Sequence, residues 1–363
     1  MPNYNDANIN YNDCTVAYGA EVSEVKPDGS GDFTTLQSWE DYADGQTLAS
    51  QWAEIYKGGD LGNLLIGFWT AIPTANDYPK VYAPLSERHG GTISTPGAFI
   101  NADTANGIDV FRVNYVRIEG VTVYVQGNYT GIYLVGDSGG IDYCLVDSNM
   151  VVNDKAAAGG TGIVVYSFDN DPTGVVVRNN IIYGKGILSN GIAVNAELVS
   201  IVNVTLDNNT VCSCATRGQT VSEDSLKMGD SEVYLTSRNN VITGCGVDDY
   251  IWPVQGGVTE SKNNLSSDDT ADDGGGTGHL IDEDPAYLFV NNNTDARLRT
   301  GSNALNAGTT LSDFDWDAVH NCADGWRPQG AAWDMGALEA EGGGGVSPRQ
   351  SRNPSAYGIP VIY

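Results

Sequence analysis

Short apolar runs rich in β-branched residues recur along the middle of the chain, each broken by an asparagine-centred polar step. The steps are Asp147-Ser148-Asn149-Met150-Val151, Arg178-Asn179-Asn180-Ile181-Ile182, Asp207-Asn208-Asn209-Thr210-Val211 and Arg238-Asn239-Asn240-Val241-Ile242. Their second Asn moves from 149 to 180, 209 and 240, which is 31, 29 and 31 residues. A weaker copy, Lys262-Asn263-Asn264-Leu265, follows 24 residues later, and Val116-Arg117-Ile118-Glu119-Gly120-Val121 fits the same frame without its Asn. A second column, Gly131-Ile132-Tyr133-Leu134, Gly162-Ile163-Val164-Val165 and Gly191-Ile192-Ala193-Val194, advances by 31 and 29.

Two columns that keep one period describe one repeating coil, and strand-forming units of this length stack as a solenoid, each coil burying its apolar face against its neighbours. The expected fold is all-β, a right-handed parallel β-helix with an N-terminal cap and short terminal arms. In each Asn pair the chain turns through the left-handed region, which Asn tolerates, and the side chains hydrogen-bond along the stack. Asn180, Asn209 and Asn240 are therefore expected at equivalent inward-facing corners of three consecutive coils. A β-sandwich with Asn-rich turns is the competing arrangement, but sandwich turns fall about every 8 to 12 residues without a column that repeats every third turn. Runs such as Gly174-Val175-Val176-Val177 and Val199-Ser200-Ile201-Val202 are too short and too β-branched for helical repeats.

Both ends of the array differ from its middle. Lys26-Pro27-Asp28-Gly29-Ser30-Gly31-Asp32-Phe33-Thr34-Thr35-Leu36-Gln37 resembles the entry segment of pectate-lyase-like and pectinesterase-like β-helix proteins, where a turn leads into a strand and a capping helix. Ser38 is the expected N-cap of that helix, with Trp39, Tyr42 and Ala43 at helical spacing after it. Ala296 to Arg299, Gly301 to Gly308, Arg327-Pro328-Gln329-Gly330 and Asp334 to Glu339 resemble the closing coils of the same superfamily. The expected organisation is an N-terminal Tyr-Asn-rich arm over 1–20, a cap and first coils over 21–110, and regular coils over 111–265. An acidic loop with closing coils follows over 266–340, then a glycine linker and C-terminal arm over 341–363. The resemblance implies the fold; enzymes, adhesins and phage proteins share it.

Forty-six acidic against eighteen basic residues give a formal charge of −28, which repels phosphate backbones and anionic lipid heads. Neither nucleic acid nor membrane is an expected partner. Six cysteines are few for 363 residues, and Met1 to Ala20 shows no basic stretch leading into an apolar core, so no secretory signal and reduced thiols are expected. Cys212 and Cys214 alternate on a strand with no His to complete a zinc set. The acidic run Asp268-Asp269-Thr270-Ala271-Asp272-Asp273-Gly274 reads as a solvated loop, with Ca²⁺ as the alternative; no cofactor is otherwise expected.

A β-helix that cleaves polysaccharide carries its site on one wall, where equivalent positions of neighbouring coils lie about 4.8 Å apart. Counting six residues on from Gly131, Gly162 and Gly191 gives Asp137, Phe168 and Glu197, with Asp169 one further. On that spacing Asp137 and Asp169 stand about 5 Å apart and Asp137 and Glu197 about 9.6 Å, which brackets the carboxylate pairs of retaining and inverting glycosidases. Asp is common at turns and acids are abundant, so chance alone supplies such a column. Lys155, Lys185 and Lys227 share no column that would serve a lyase, and the paired-Asp and His-Gly motifs of polygalacturonases are absent. His89, His279 and His320 fall outside the regular coils and are expected on the surface or in the caps.

These features lead to the expectation of a non-catalytic phage virion protein, made in the host cytoplasm. A capsid decoration protein comes first and a tail spike or fibre next. The Tyr-Asn leader resembles that of some phage structural proteins. The basic, aromatic-ended arm offers Arg349, Arg352, Tyr357, Ile359, Val361 and Tyr363 for docking. The expected partners are further copies, as the homotrimer that the phage resemblance implies, other virion proteins such as the major capsid protein, and a host glycan. The alternative is a polysaccharide lyase or glycoside hydrolase acting on an acidic or cell-surface glycan, and a bacterial adhesin is the third class.

Overall fold

Alternation within each short run sends one set of side chains inward and the other outward. In Thr161–Ser167, Ile163 and Val165 are buried in the bore while Tyr166 looks out. Neighbouring coils repeat the choice, with Ile163 paired to Ile132 on one side and Ile192 on the other, so the second column of the sequence becomes an apolar column of the interior. The computed structural model describes residues 20–67, 69–137, 139–153, 159–168, 171–197, 201–223, 232–253, 256–311 and 332–340. Within them the strands stack into three parallel sheets of nine, seven and seven strands, about seven turns of a right-handed parallel β-helix, as expected. Each regular coil passes through a long sheet, an asparagine corner, a second sheet called covered below, and a third called open.

The corner is built by the Asn pairs. The first member takes positive φ, 54° at Asn179, 53° at Asn208, 57° at Asn239 and 50° at Asn263, with Ser148 and Gly120 in the same place in earlier coils. The second member points inward and forms a ladder. Asn149 Nδ2 donates to Asn180 Oδ1 at 3.0 Å, Asn180 to Asn209 at 3.0 Å, Asn209 to Asn240 at 3.0 Å and Asn240 to Asn264 at 3.1 Å. Each amide also donates to a carbonyl of the preceding coil, as Asn209 does to Val177 at 2.8 Å. The ladder is capped by His279, whose Nδ1 accepts from Asn264 N at 3.2 Å.

The residue before each Asn pair faces outward from the long sheet and alternates in charge, with Asp147, Arg178, Asp207 and Arg238 paired in register. Arg178 Nε lies 2.8 Å from Asp147, and Arg238 grips Asp207 in a fork of 2.7 and 2.9 Å. One coil earlier Glu119 meets Lys80 at 2.8 Å. Burial opposes its ionisation, but the charges of Lys80, Arg88 and Arg117 outweigh that and hold its carboxyl down to about 2.

The N-terminal end is closed by the helix Leu36–Ala43, which buries Leu36, Trp39 and Ala43. Its N-cap is Thr35 rather than the expected Ser38. Thr35 has extended backbone angles and its Oγ1 accepts from Ser38 N at 3.2 Å, so the helix starts three residues earlier. At the other end, residues expected as closing coils do something else. After a last short rung in which Leu265 bridges Leu280, the chain turns back through the antiparallel hairpin Phe289–Asn291 and Asp295–Leu298 and the segment 332–340 along the outer face of the covered sheet. Met150, Ile181, Tyr183, Cys212 and Val241 are thereby buried against Leu288, Phe289, Ala296, Met335 and Leu338. Tyr183 Oη ties the strap down, donating to Gly91 O and accepting from Ala296 N, both at 2.7 Å. At Gly336, φ 90°, a Cβ would stand 2.6 Å from Thr210 Oγ1, so the close approach requires glycine.

His89 is a correction of a different kind. Expected at the surface or in a cap, it is 1% exposed, because the loop between Lys80–Tyr82 and Phe99–Ala102 folds over the asparagine corner. Its Nε2 lies 2.8 Å from Ser148 O. A carbonyl only accepts, so Nε2 carries the proton and Nδ1, buried without a partner, does not.

Two outcomes follow from this framework. Asn209→Ala removes a rung that donates to Val177 O and Asn240 and accepts from Asn180, leaving buried partners unsatisfied; a loss of about 3 kcal/mol or more is expected in urea unfolding, against little change for substitutions of exposed polar residues. Burial lowers the His89 pKa from 6.5 to about 4, so the unfolded chain takes up this proton first. The stability it contributes is present above about pH 6.5 and lost as pH falls towards 4, roughly 3 kcal/mol in all. His89→Gln, which keeps a donor for Ser148 O, should flatten that part of the stability against pH curve.

Candidate active site

The covered sheet is buried on both faces, and the outer corner of the long sheet is filled by ion pairs. The open sheet presents a different wall. Its strands Ile108–Phe111, Thr130–Gly136, Thr161–Ser167 and Asn190–Ala196 keep Ile132, Leu134, Ile163, Val165, Ile192 and Val194 inward and place Asp109, Tyr133, Phe111, Tyr166 and Asn195 outward. Asp109 sits directly beside Tyr133 in the next coil. Burial raises its carboxyl pKa, against the opposing effect of Asn106, whose Nδ2 donates to Asp109 Oδ1 at 2.8 Å. The rings of Tyr133 and Tyr166 are tilted at 53° with centroids 6.2 Å apart.

Immediately past these strands lies the column counted from the sequence. Phe168 N donates to Gly136 O at 2.8 Å and Glu197 N to Ser167 O at 2.9 Å, which sets Asp137, Phe168 and Glu197 on successive rungs. Asp137 and Glu197 thus lie two coils apart, about 9 to 10 Å by strand spacing. Asp169 lies outside the described residues, as do Arg349, Arg352, Tyr357, Ile359, Val361 and Tyr363 of the C-terminal arm, the leader over 1–19, and His320.

Tyr166 lies close enough to feel the charges of both carboxylates. Its phenol pKa is pushed far above the ordinary value, first by burial, then by its hydrogen bond to Glu197 and the charges of Glu197 and Asp137. It therefore stays a hydroxyl that donates to Glu197. Arg112, at positive φ of 61°, packs its guanidinium over the Phe111 ring at 4.6 Å and forms an ion pair with Asp137. Sequence counting found the two acids but missed Asp109, Tyr133, Tyr166 and Arg112. The available signal was position: Tyr133 sits between inward-facing Ile132 and Leu134 in the repeating glycine column, and is turned outward by strand alternation.

Other candidate places hold less chemistry. A depression of about 500 Å³ lies on the long wall near Thr236, Glu260, Lys262 and Thr277, where Glu260 is engaged by Arg238 and Lys262. In the acidic loop, Asp268 accepts from Asp249 N and from Thr270 and so shapes a turn. Among the described residues no three His, Cys, Asp or Glu side chains gather as a metal site would require.

No protein-family model and no curated protein matches the chain. Among solved structures it is similar to a pectate lyase, Pel9A, at 12% identity and a TM-score of 0.38 over 83% of this chain and 90% of that one. So loose a likeness transfers no residue and no activity. The expectation of a non-catalytic virion protein, whether capsid decoration, tail spike or fibre, is nevertheless corrected here. The open wall carries an ordered cluster of carboxylates and tyrosines, a place for chemistry that the non-catalytic reading left no room for.

Proposed function

We propose that the chain is a polysaccharide-cleaving enzyme whose substrate lies along the open wall, with Asp137 and Glu197 as its working carboxylates. The observation that carries this reading is their placement two rungs apart with the Tyr166 hydroxyl hydrogen-bonded to Glu197. A spacing of about 9 to 10 Å leaves room for a water opposite the scissile bond and matches the inverting arrangement of glycoside hydrolysis at its wide end. Arg112 is ion-paired with Asp137, and the two carboxylates share the work of activating that water and protonating the leaving oxygen. The outward rings of Tyr133 and Tyr166 supply apolar surface with a polar edge, a good surface for sugar rings.

Hydrolysis is favoured over elimination by the residues present. A lyase needs a base for the proton next to a carboxylate; among the described residues here the tyrosine hydroxyls are held protonated and the cation beside the acids, Arg112, is committed to Asp137. The acids of the wall and the charge of −28 also disfavour polyanionic chains, so neutral glycans are the expected substrates.

The test is reducing-end release from a panel of neutral and uronate-containing polysaccharides. Turnover of a neutral polymer is expected, without the unsaturated ends that elimination leaves. Asp137→Asn and Glu197→Gln should each lower the rate at least about 100-fold with the thermal midpoint unchanged. Absence of turnover across the panel, or variants as active as the parent, would remove this reading.

A further inference from the structure

Two thiols face each other across neighbouring coils at the bend that leads from the covered to the open sheet. Cys214 follows the strand Thr210–Cys212, and Cys245 follows Val241–Thr243, which pairs with it in register. Beyond the strands the ladder continues, with Ser213 N donating to Thr243 O at 2.8 Å and Gly246 N to Cys214 O at 3.1 Å. That pattern places Cys214 opposite Cys245, about 4.8 Å away by coil spacing. Both side chains pack in the same interior cluster and both are free thiols, the Cys245 thiol lying 3.9 Å from Thr243 O.

A disulfide requires Cα atoms about 4.4 to 6.8 Å apart with converging side chains, and adjacent rungs of this helix meet that requirement. Access is graded. Cys214 is 1% exposed, whereas Cys245 is partly exposed on a turn whose neighbours Gly244 and Gly246 are open to solvent. We propose that Cys214 and Cys245 are an oxidisable pair that a small organic disulfide converts to an intrachain bond, latching two coils near the C-terminal end of the solenoid.

The chemistry balances in two exchanges. The Cys245 thiolate attacks one sulfur of the small disulfide, forming a mixed disulfide and releasing one small thiol. The Cys214 thiolate then attacks Cys245 Sγ and displaces the second, so two protein S–H groups are oxidised and one disulfide is reduced to two thiols. The neighbouring Cys214 sulfur, burial and the charge of Asp249 hold the Cys245 thiol protonated, so the first exchange is slow at neutral pH and quickens as pH rises. Of the other described thiols, Cys212 lies opposite Tyr183 and Thr243, and Cys144 is buried beside Val113 O.

The test treats the purified full chain with excess oxidised glutathione at mildly alkaline pH, alkylates remaining thiols, and maps peptides by mass spectrometry. A Cys214 to Cys245 cross-link two hydrogens lighter than the free peptides is expected, with a rise in thermal midpoint that dithiothreitol reverses. In Cys214→Ala, glutathione should remain on Cys245, with no cross-link and no such rise. Glutathione stably held by Cys245 in the parent chain, or cross-links confined to other cysteines such as Cys14 and Cys322, would overturn the proposal.

Discussion

A buried column of amides running parallel to the axis is the constraint on which the rest of this solenoid depends. An amide in an apolar bore must satisfy both donors and its carbonyl, and here that requires another amide one rung above and one below. The corner therefore has one conformation, while the rest of each coil is free to vary in length. This explains why the Asn step is 31, 29, 31 and then 24 residues with no break in the ladder. The shortest coil makes up the difference away from the corner, with a strand of only three residues, Asp248–Tyr250, on the open sheet.

Much of this was legible because local chemistry dictates it. Only Asn pairs and their stand-ins tolerate the left-handed turn and the inward amide together, so their recurrence defines the corner directly. The alternation of Asp147, Arg178, Asp207 and Arg238 lies in the same motif and becomes meaningful once parallel register makes i and i+30 neighbours. Features that depend on distant segments were not legible. The burial of His89 requires a loop to fold over a corner 59 residues away, and Tyr183 is bound by Gly91 and by Ala296, 113 residues on. Gln219 is a further case. It occupies the inward column of Ile132, Ile163 and Ile192, its Nε2 is buried without a partner, and the structure offers no reason for it.

The open wall inherits its chemistry from the same scaffold. Rung spacing delivers Asp137 and Glu197 at a set separation, and strand alternation turns Tyr133 and Tyr166 outward for the reason that turns their neighbours inward. Legibility was partial because counting along a column identifies acids but not what lies beside them. Arg112 precedes Asp137 by 25 residues, and the value of that pair appears only when the coils are stacked.

The C-terminal strap changes what kind of polymer this is. A bare solenoid behaves as a row of units coupled only to their neighbours, and such a row frays from its ends. Here residues 289–298 and 332–340 reach from the last coil back to Gly91, so early and late coils are joined side to side as well as end to end. Terminal coils gain partners far along the axis, and melting one of them exposes the outward faces of several others. The row acquires the connectivity of a loop, and its unfolding becomes a collective event with a correspondingly steep transition.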